Sequence, residues 1–312
     1  MVSVAIVGCG GIGSRHVQGA AKVPDVGRIQ CVEIDDEKIA MSKERLKEIS
    51  HDKQINFYKK IADLEGNIDI CIIATPSAVR KKVLFDVIEQ TRVKYFILEK
   101  VVFQKEGDFK LAIEAFRSRG IKCWVNCHSR AEQRYRYIKN NIAKDKELKI
   151  DALYPPSFNL ASSMIHCLDL FCFFRDNYCI EIDLSGIDKE PYDSKHLNCL
   201  EFKGTIVARN ELGDRITIKQ GDVSAQTYII KNGDSQYFSS EDTDSFTVET
   251  PSSKDVFSSK FLWQNSLTNL YIRDIINNDE CALPTLEESF EIHKAMFKNI
   301  RKHFNIKVVN IT

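Results

Sequence analysis

Short apolar runs alternate with amphipathic segments over about the first 120 residues of the chain. Two of these runs, Val2–Val7 and Ile68–Ala74, are almost wholly apolar, as expected of parallel strands covered on both faces. The alternation predicts a doubly wound parallel sheet with helices between its strands. The predicted strands are Val2–Val7, Arg28–Ile34, Ile55–Tyr58, Ile68–Ala74, Tyr95–Leu98 and Lys122–Asn126. The predicted helices begin at Ile12 and cover Glu37–Ile49, Lys82–Gln90 and Asp108–Arg119.

The pattern changes in the second half of the chain. Consecutive segments there alternate apolar and polar residues and are separated by short turns, which predicts an antiparallel meander. The predicted strands are Leu200–Val207, Asp214–Gln220 and Gln226–Lys231, and the predicted helices are Ala131–Ile142, Ser163–Phe174, Leu262–Asn277 and Leu286–Phe304. The segment Ser239–Ser253 is rich in Ser, Thr, Asp and Glu and is predicted to be a mobile loop.

The predicted fold class is therefore α/β. An N-terminal doubly wound (Rossmann) parallel sheet, residues 1–121, is followed by a C-terminal α+β domain with a mostly antiparallel sheet, residues 122–312. The last helix is expected to pack back on the first domain.

Composition narrows the possible partners. The chain has 44 Lys and Arg against 44 Asp and Glu, so no basic field attracts nucleic acid or an anionic membrane. No apolar run approaches the roughly 20 residues of a membrane span. The ten cysteines form no CxxC pair, and no His or carboxylate cluster has metal-ligand spacing. We therefore expect a cytoplasmic protein with reduced thiols and no metal.

A glycine-rich turn, G-C-G-G-I-G over residues 8–13, follows the first predicted strand and opens the first helix. Because it lies between a strand and a helix, this G-x-G-x-x-G spacing is typical of a dinucleotide-binding site. Its glycines permit a tight turn, close approach of a pyrophosphate and close helix packing, and the helix N-terminus favours phosphate. The residues expected to hold the cofactor here are Gly8, Gly10, Gly11, Ile12 and Gly13.

Glu33 lies at the end of the second predicted strand. An acid at this place accepts hydrogen bonds from the adenosine ribose hydroxyls. Its carboxylate would repel a 2′-phosphate, and no arginine follows it directly. The sequence therefore favours NAD over NADP and predicts that residues 1–121 are an NAD-binding domain.

The fourth predicted strand runs into Thr75, Pro76 and Ser77, and the fifth runs into Glu99 and Lys100. These segments resemble the Thr-Pro-Asn and Glu-Lys-Pro signatures of the Gfo/Idh/MocA oxidoreductases, which include glucose–fructose oxidoreductase and inositol dehydrogenase. The resemblance implies that both segments lie beside the dinucleotide. It adds all five residues to the predicted cofactor site.

A third segment, S-S-M-I-H-C-L-D over residues 162–169, is similar to the family's Asp-x-x-x-His-x-x-Asp helix. The resemblance implies that Lys100 and His166 are catalytic. Oxidation of a secondary alcohol removes a hydroxyl proton while hydride leaves for the nicotinamide. The Lys100 ammonium can orient the substrate oxygen and stabilise its charge, and His166 can take the proton near neutral pH.

Three positions depart from the family's pattern. Val101 replaces the proline after Glu-Lys, Ser162 replaces the acid before the histidine, and Arg80 stands about where many members have a histidine. Serine can hydrogen-bond but cannot supply the charge of a carboxylate. The departures point to a substrate other than inositol or a free hexose.

Four residues are predicted to contact the substrate: Asn126, Arg130, Ser162 and Asp169. The first two resemble a family segment that faces cofactor and substrate. An arginine there could clamp a carboxylate or phosphate, or Arg130 could simply solvate the start of a helix. Asp169 shares a helix face with His166 and could orient its imidazole.

Together these features predict an NAD(H)-dependent oxidoreductase that interconverts a secondary alcohol and a ketone on a sugar, sugar nucleotide or polyol. Two alternatives stay open. One is a dinucleotide-binding protein of the same fold with weak or no catalysis and a regulatory or subunit role. The other is a reductase for a non-sugar carbonyl or a conjugated C=C bond, since family membership does not fix the substrate.

The predicted antiparallel sheet must bury or solvate its uncovered face. We therefore expect a homodimer or homotetramer formed through the C-terminal sheet, with residues 122–312 also binding the carbohydrate-like substrate.

Overall fold

The structure is a computed structural model that describes residues 1–194 and 198–312. The described chain divides into two compact units. The first comprises Met1–Asn126 with Leu262–Glu287, and the second comprises Cys127–Phe261 with Glu288–Thr312. The domain boundary after residue 121 stays a prediction.

Helices and strands are numbered here in chain order. The strands are β1 (Val2–Val7), β2 (Val26–Val32), β3 (Gln54–Tyr58), β4 (Ile68–Ile73), β5 (Val93–Leu98), β6 (Lys122–Val125), β7 (Leu148–Tyr154), β8 (Ile180–Ile187), β9 (Tyr192–Asp193), β10 (Leu200–Glu201), β11 (Gly204–Asn210), β12 (Arg215–Gln220), β13 (Thr227–Asn232), β14 (Ser235–Ser240), β15 (Ser245–Glu249) and β16 (Lys254–Ser258). The helices are α1 (Gly13–Ala21), α2 (Asp36–Lys47), α3 (Ser77–Gln90), α4 (Glu106–Arg119), α5 (Gln133–Asn141), α6 (Leu160–Arg175), α7 (Gln264–Asn278) and α8 (Leu286–Phe304). One-turn 3₁₀ helices cover Ile61–Asp63 and His128–Ala131.

The first unit is built on a parallel sheet with the strand order β3-β2-β1-β4-β5-β6. Its central strands β1 and β4 are almost entirely buried, which explains their continuous apolar sequences. The strand order reverses between β1 and β4, and open α/β sheets bind ligands at the carboxyl ends of strands at such a point. The predicted doubly wound sheet is confirmed.

The helices α1 and α7 pack against each other within this unit. A Cβ atom at Gly19 of α1 would lie 2.5 Å from both the backbone oxygen of Asn265 and the Cβ of Thr268. Only glycine permits this approach. It brings α7 to the helix that follows the glycine turn, although the two helices are far apart in sequence.

The second unit contains an eight-stranded sheet with the order β16-β15-β14-β13-β7-β12-β11-β8. Every neighbouring pair is antiparallel except β7 and β12. The predicted mostly antiparallel sheet is confirmed. Six observed strands have no counterpart in the sequence-based assignment: β7, β8, β9, β14, β15 and β16.

The prediction of a mobile loop over Ser239–Ser253 is wrong. This segment contains the end of β14 and the whole of β15, whose Phe246 and Val248 are buried. Its polar residues alternate with these apolar ones, so they form the outer face of an antiparallel sheet. The predicted strand Leu200–Val207 is also interrupted, since β10 pairs with β9 and β11 belongs to the large sheet.

No helix in the described part of the chain is long and apolar enough to cross a membrane. All ten cysteines lie in described residues and carry free thiols, most of them buried.

Candidate functional site

The glycine turn after β1 is tight on one side and open on the other. Gly8 has a φ of +90°, a backbone conformation that glycine adopts without strain. A Cβ at Gly13 would lie 1.8 Å from the carbonyl oxygen of Gly8, so α1 can start there only on glycine. A Cβ at Gly11 would meet nothing within 4 Å, and one at Gly10 would meet only the Lys38 side chain, at 3.5 Å. The open side has the shape that lets a pyrophosphate reach backbone N–H groups.

Glu33 directly follows β2 and is 7% exposed. Its Oε2 accepts a hydrogen bond from the N–H of Cys9 at 2.8 Å, and its Oε1 accepts one from the N–H of Asp35 at 3.1 Å. The carboxylate thus joins the end of β2 to the glycine turn. Because each carboxylate oxygen has a second acceptor position, Glu33 can still accept hydrogen bonds from ribose hydroxyls.

The end of β4 lies against the same turn. The backbone nitrogen of Thr75 is 2.9 Å from where a Cβ of Gly8 would be. The Thr75 Oγ1 is buried and has no hydrogen-bond partner among the described residues. Pro76 precedes α3, which begins at Ser77 and therefore earlier than predicted, and Ile12 is 42% exposed at the start of α1. A buried hydroxyl beside an open glycine turn fits a polar cofactor.

Glu99 is the centre of a buried hydrogen-bond network directly before Lys100, which is half-buried. His16 of α1 places its Nε2 2.9 Å from the Glu99 Oε1 and its Nδ1 2.8 Å from the Thr268 Oγ1. Asn126 donates to the same Glu99 oxygen at 2.5 Å. Burial opposes ionisation of Glu99, but the bonds from His16 and Asn126 and the nearby charge of Lys100 outweigh it and lower the pKa of Glu99. The network therefore fixes an ionised carboxylate behind Lys100.

Arg80 of α3, 2% exposed, holds the segment on the other side of Lys100. Its Nη1 donates to the carbonyl oxygens of Glu99 at 2.5 Å, of Val102 at 2.9 Å and of Val101. Its Nη2 donates to the carbonyl oxygen of Thr75. Burial lowers the pKa of Arg80 to about 10, which leaves the guanidinium charged at neutral pH. One side chain thus links the segments that follow β4 and β5.

In the second unit, α6 carries the predicted acid–base residue. His166 is half-buried, and its ring centroid lies 4.7 Å from that of His128. At the start of the helix, the Glu201 carboxylate of β10 accepts hydrogen bonds from the N–H groups of Ala161, at 2.8 Å, and Ser162, at 3.3 Å. Glu201 thus places a negative charge where the dipole of α6 favours one.

Arg130 and Asp169 form a buried ion pair in the second unit. The Arg130 Nε and Nη2 donate to the two carboxylate oxygens of Asp169 at 2.9 and 2.6 Å, and the same guanidinium reaches Glu288 and Tyr178. Burial opposes the charge on Arg130, but the Asp169 carboxylate outweighs it and raises the pKa of Arg130. The pair anchors α6, and the predicted contacts of both residues with substrate would require it to open.

Six residues of these contacts escaped the sequence-based assignment of the site: His16, His128, Tyr178, Glu201, Thr268 and Glu288. None of them left a signal in the sequence, since Glu201 occupies a polar position of a predicted apolar–polar strand and its burial is seen only in the structure.

Replacing Glu33 by glutamine is expected to weaken NADH binding about 10- to 100-fold, because charge-assisted hydrogen bonds of the carboxylate are each worth roughly 1.5–3 kcal/mol. NADPH affinity should fall less, since a 2′-phosphate gains from loss of the charge. Fluorescence titration with both dinucleotides measures the two affinities, and Glu37→Gln on exposed α2 is the control. An unchanged NADH-to-NADPH affinity ratio would contradict a contact between Glu33 and the ribose.

Comparison with known proteins gives one family and many similar folds. The sequence model of the oxidoreductase family Gfo/Idh/MocA, NAD-binding Rossmann fold, matches residues 2–127. No curated protein matches the chain. UDP-N-acetylglucosamine 3-dehydrogenase GnnA from Acidithiobacillus ferrooxidans has a TM-score of 0.74 at 13% identity, over 96% of each chain.

Two further solved structures cover the chain equally well. Myo-inositol dehydrogenase from Lactobacillus casei, in complex with NAD(H) and myo-inositol, has a TM-score of 0.72 at 13% identity over 100% of this chain and 97% of its own. Biliverdin reductase from Synechocystis sp. PCC 6803, in complex with biliverdin and NADP+, has a TM-score of 0.70 at 10% identity over 98% and 99%. At such identities the likeness shows a shared fold. The family model covers the glycine turn, Glu33 and Lys100, so residues 2–127 are similar to the NAD-binding Rossmann domain of the Gfo/Idh/MocA oxidoreductases.

Proposed function

We propose that the protein is an NAD(H)-dependent oxidoreductase that interconverts a secondary alcohol and a ketone on a sugar, sugar nucleotide or polyol. The observation that carries the proposal is the double anchoring around Lys100, by the Glu99 network and by Arg80. An ordinary surface lysine has no need of two buried charged side chains at its base. The names of two structural neighbours, which refer to UDP-N-acetylglucosamine and myo-inositol, support a carbohydrate-like substrate.

When bound, NAD+ supplies the hydride acceptor. In the proposed reaction the Lys100 ammonium binds the substrate oxygen and stabilises the negative charge that develops on it. The His166 imidazole takes the hydroxyl proton and returns it in the reverse direction. Glu201 and the Arg130–Asp169 pair hold α6, so that the imidazole keeps one position.

The contacts of Arg80 and Glu201 favour an enzyme over a dinucleotide-binding protein without catalysis. The non-catalytic alternative rests on Val101 and Ser162, which replace a proline and an acid of the family. Arg80 binds the carbonyl groups of Val101 and Val102 directly. Glu201 supplies a carboxylate at the backbone of Ser162. Both replacements are thus accompanied by a side chain that stabilises the same segment.

The test is a titration with NADH and NADPH followed by a turnover screen. Polyols, hexoses and nucleotide sugars are offered with NAD+, and the corresponding ketones with NADH. We expect tighter binding of NADH and turnover of at least one alcohol–ketone pair. Tight binding without turnover across the panel would instead favour the non-catalytic alternative, and turnover confined to non-sugar carbonyls would favour the third interpretation.

We further propose that the outer face of the large sheet joins two copies of the chain. We also propose that the protein is cytoplasmic, because its cysteines carry free thiols and the cytoplasm is reducing. The strand register places one row of side chains across this face, and directly paired residues share a face. The row consists of Val207, Thr217, Asp151, Ile229, Phe238, Thr247 and Val256. Phe238 is 43% and Val256 69% exposed, which leaves apolar surface for a second copy.

The double substitution Ile229→Lys and Phe238→Lys is expected to convert the oligomer to a monomer, because it puts two charges into an apolar contact. Light scattering at micromolar concentration measures the mass. Glu190→Lys, at an exposed position of the same unit, should leave the mass unchanged. A monomeric mass for the unchanged protein would contradict the proposed contact.

A further inference from the structure

A buried carboxylate without hydrogen-bond donors lies in the second unit, close to the His128–His166 ring pair. Glu132 directly follows the 3₁₀ helix His128–Ala131 and is 1% exposed. Its Oε1 is 3.8 Å from the His128 Nδ1, and its Oε2 is 3.6 Å from the Arg134 Nε. Neither oxygen has a hydrogen-bond partner among the described residues. Such a group is unfavourable unless a donor reaches it.

Arg134 balances the charge of Glu132 but directs its terminal donors elsewhere. Its Nη1 donates to the carbonyl oxygen of Ser240 at 2.9 Å and to the Oγ of Ser239 at 3.3 Å. Its Nη2 donates to the carbonyl oxygens of Thr243 at 2.9 Å and Ser259 at 2.5 Å. With four oxygens bound, these donors are not free for an anionic group of a ligand. The two carboxylate oxygens of Glu132 therefore accept no hydrogen bond from Arg134.

A second acid, Glu241, lies between Ser240 and Thr243, whose carbonyl oxygens both bind Arg134. Glu241 follows β14, and its N–H donates to the carbonyl oxygen of Gln226 at 3.0 Å. Burial raises the pKa of Glu241 to about 7, and Glu132 adds to this effect against the charges of His128 and Arg134. Glu241 in turn helps to raise the pKa of buried groups on three other elements, which are Tyr135, Tyr154 and Cys167. Two acids from separate elements are therefore linked through Arg134, and the charge of His128 acts on Glu241.

Among the described residues no group of three His, Cys, Asp or Glu side chains is placed to hold a metal ion. The group that we consider as a partner of the two carboxylates is therefore a hydrogen-bond donor on an organic ligand. An ammonium group carries three N–H donors, no acceptor and a positive charge. A hydroxyl group offers one donor without charge, and a carboxylate or phosphate would be repelled by both acids.

We propose that Glu132, Glu241 and His128 form a substrate subsite beside His166 that takes a protonated primary amine, so that the substrate class is an amino sugar. The inference rests on the proposed function in one respect, since His166 is taken as the residue that meets the oxidised carbon. It goes beyond that function because it specifies that the sugar carries an amino group at the position next to the oxidised carbon.

The test uses the full chain, loaded with NADH and labelled at histidine, and three probe sugars: glucosamine, glucose and glucuronate. The ring resonances of His128 and His166, assigned through His128→Gln and His166→Gln, report binding in the second unit. We expect glucosamine to shift both resonances, glucose to bind at least about tenfold more weakly, and glucuronate to cause no shift.

Glu132→Gln and Glu241→Gln should each weaken glucosamine binding about tenfold or more and leave the glucose shift almost unchanged. Glu190→Gln, at an exposed site of the same unit, is the matched control and should alter neither. Histidine resonances of each free variant, compared with those of the unchanged protein, show whether the second unit is folded.

Equal binding of glucose and glucosamine, binding of glucuronate, or an unchanged glucosamine preference in both glutamine variants would overturn the subsite. Absence of any His128 shift with all three sugars would overturn it as well. Turnover is recorded separately in the same samples. A glucosamine-specific shift without turnover in the carbohydrate screen rejects the proposed function and keeps the subsite, whereas turnover without the shift rejects only the subsite.

Discussion

Replacing Lys100 by methionine is expected to lower kcat about 10²- to 10³-fold, the loss that follows when one donor to a developing oxyanion is removed. Methionine keeps the length and apolar stem of the side chain but lacks the ammonium. The Glu99 and Arg80 contacts involve other residues and should survive, so NADH affinity should change little. Steady-state turnover on a substrate from the screen and a fluorescence titration with NADH measure the two effects.

Lys105→Met, at an exposed lysine shortly after the same segment, is the matched control and should keep full turnover. His166→Ala should lower kcat about 10²- to 10⁴-fold by removing the proton acceptor, and it should flatten the dependence of kcat on pH near neutrality. Full turnover in both the Lys100 and His166 variants would show that the proposed mechanism is wrong.

The cofactor half of the site could be predicted because its signals are local in sequence. The turn at Gly8, the glycine required at Gly13 and the acid after β2 all follow from the geometry of one strand–helix–strand unit. The doubly wound sheet was predictable for a similar reason, since strands buried on both faces have continuous apolar sequences.

The networks that hold Lys100 were not predictable in this way, because they join residues that are distant in sequence. His16 meets Thr268 across 252 positions and Glu99 across 83. Arg80 stands at a position where a histidine was the expectation, and no local pattern indicates that its guanidinium would bind four backbone carbonyl groups. Such contacts are set by the topology of the sheet, which brings the ends of β4 and β5 side by side.

The loop prediction for the polar segment around β15 was wrong for a different reason. Its composition of Ser, Thr and acids is typical of a loop when it is considered alone. In the structure Phe246 and Val248 are buried while the residues between them face outward, so the alternation is more informative than the composition. Composition misleads wherever only one face of a strand is covered.

Replacing Arg80 by methionine is expected to lower the free energy of unfolding by about 3–5 kcal/mol, because each hydrogen bond from a charged donor contributes about 1.5–3 kcal/mol. The four carbonyl oxygens that Arg80 binds would remain buried without a donor. Because three of these oxygens, on Glu99, Val101 and Val102, flank Lys100, kcat should fall as well, while KM changes less. Urea unfolding followed by the fluorescence of buried Trp124 measures the stability, and steady-state kinetics measure the turnover.

Arg80→His restores the residue type that the family commonly has at this place and should recover part of both losses, which keeps the test valid if the methionine variant does not fold. Arg117→Met, on the exposed side of α4, should change the free energy of unfolding by no more than about 0.5 kcal/mol. An Arg80→Met variant with both the stability and the kcat of the unchanged protein would contradict the view that this guanidinium replaces the family's proline in holding the Lys100 segment. A loss of stability with unchanged kcat would limit Arg80 to a structural role and leave Glu99 as the residue that positions Lys100.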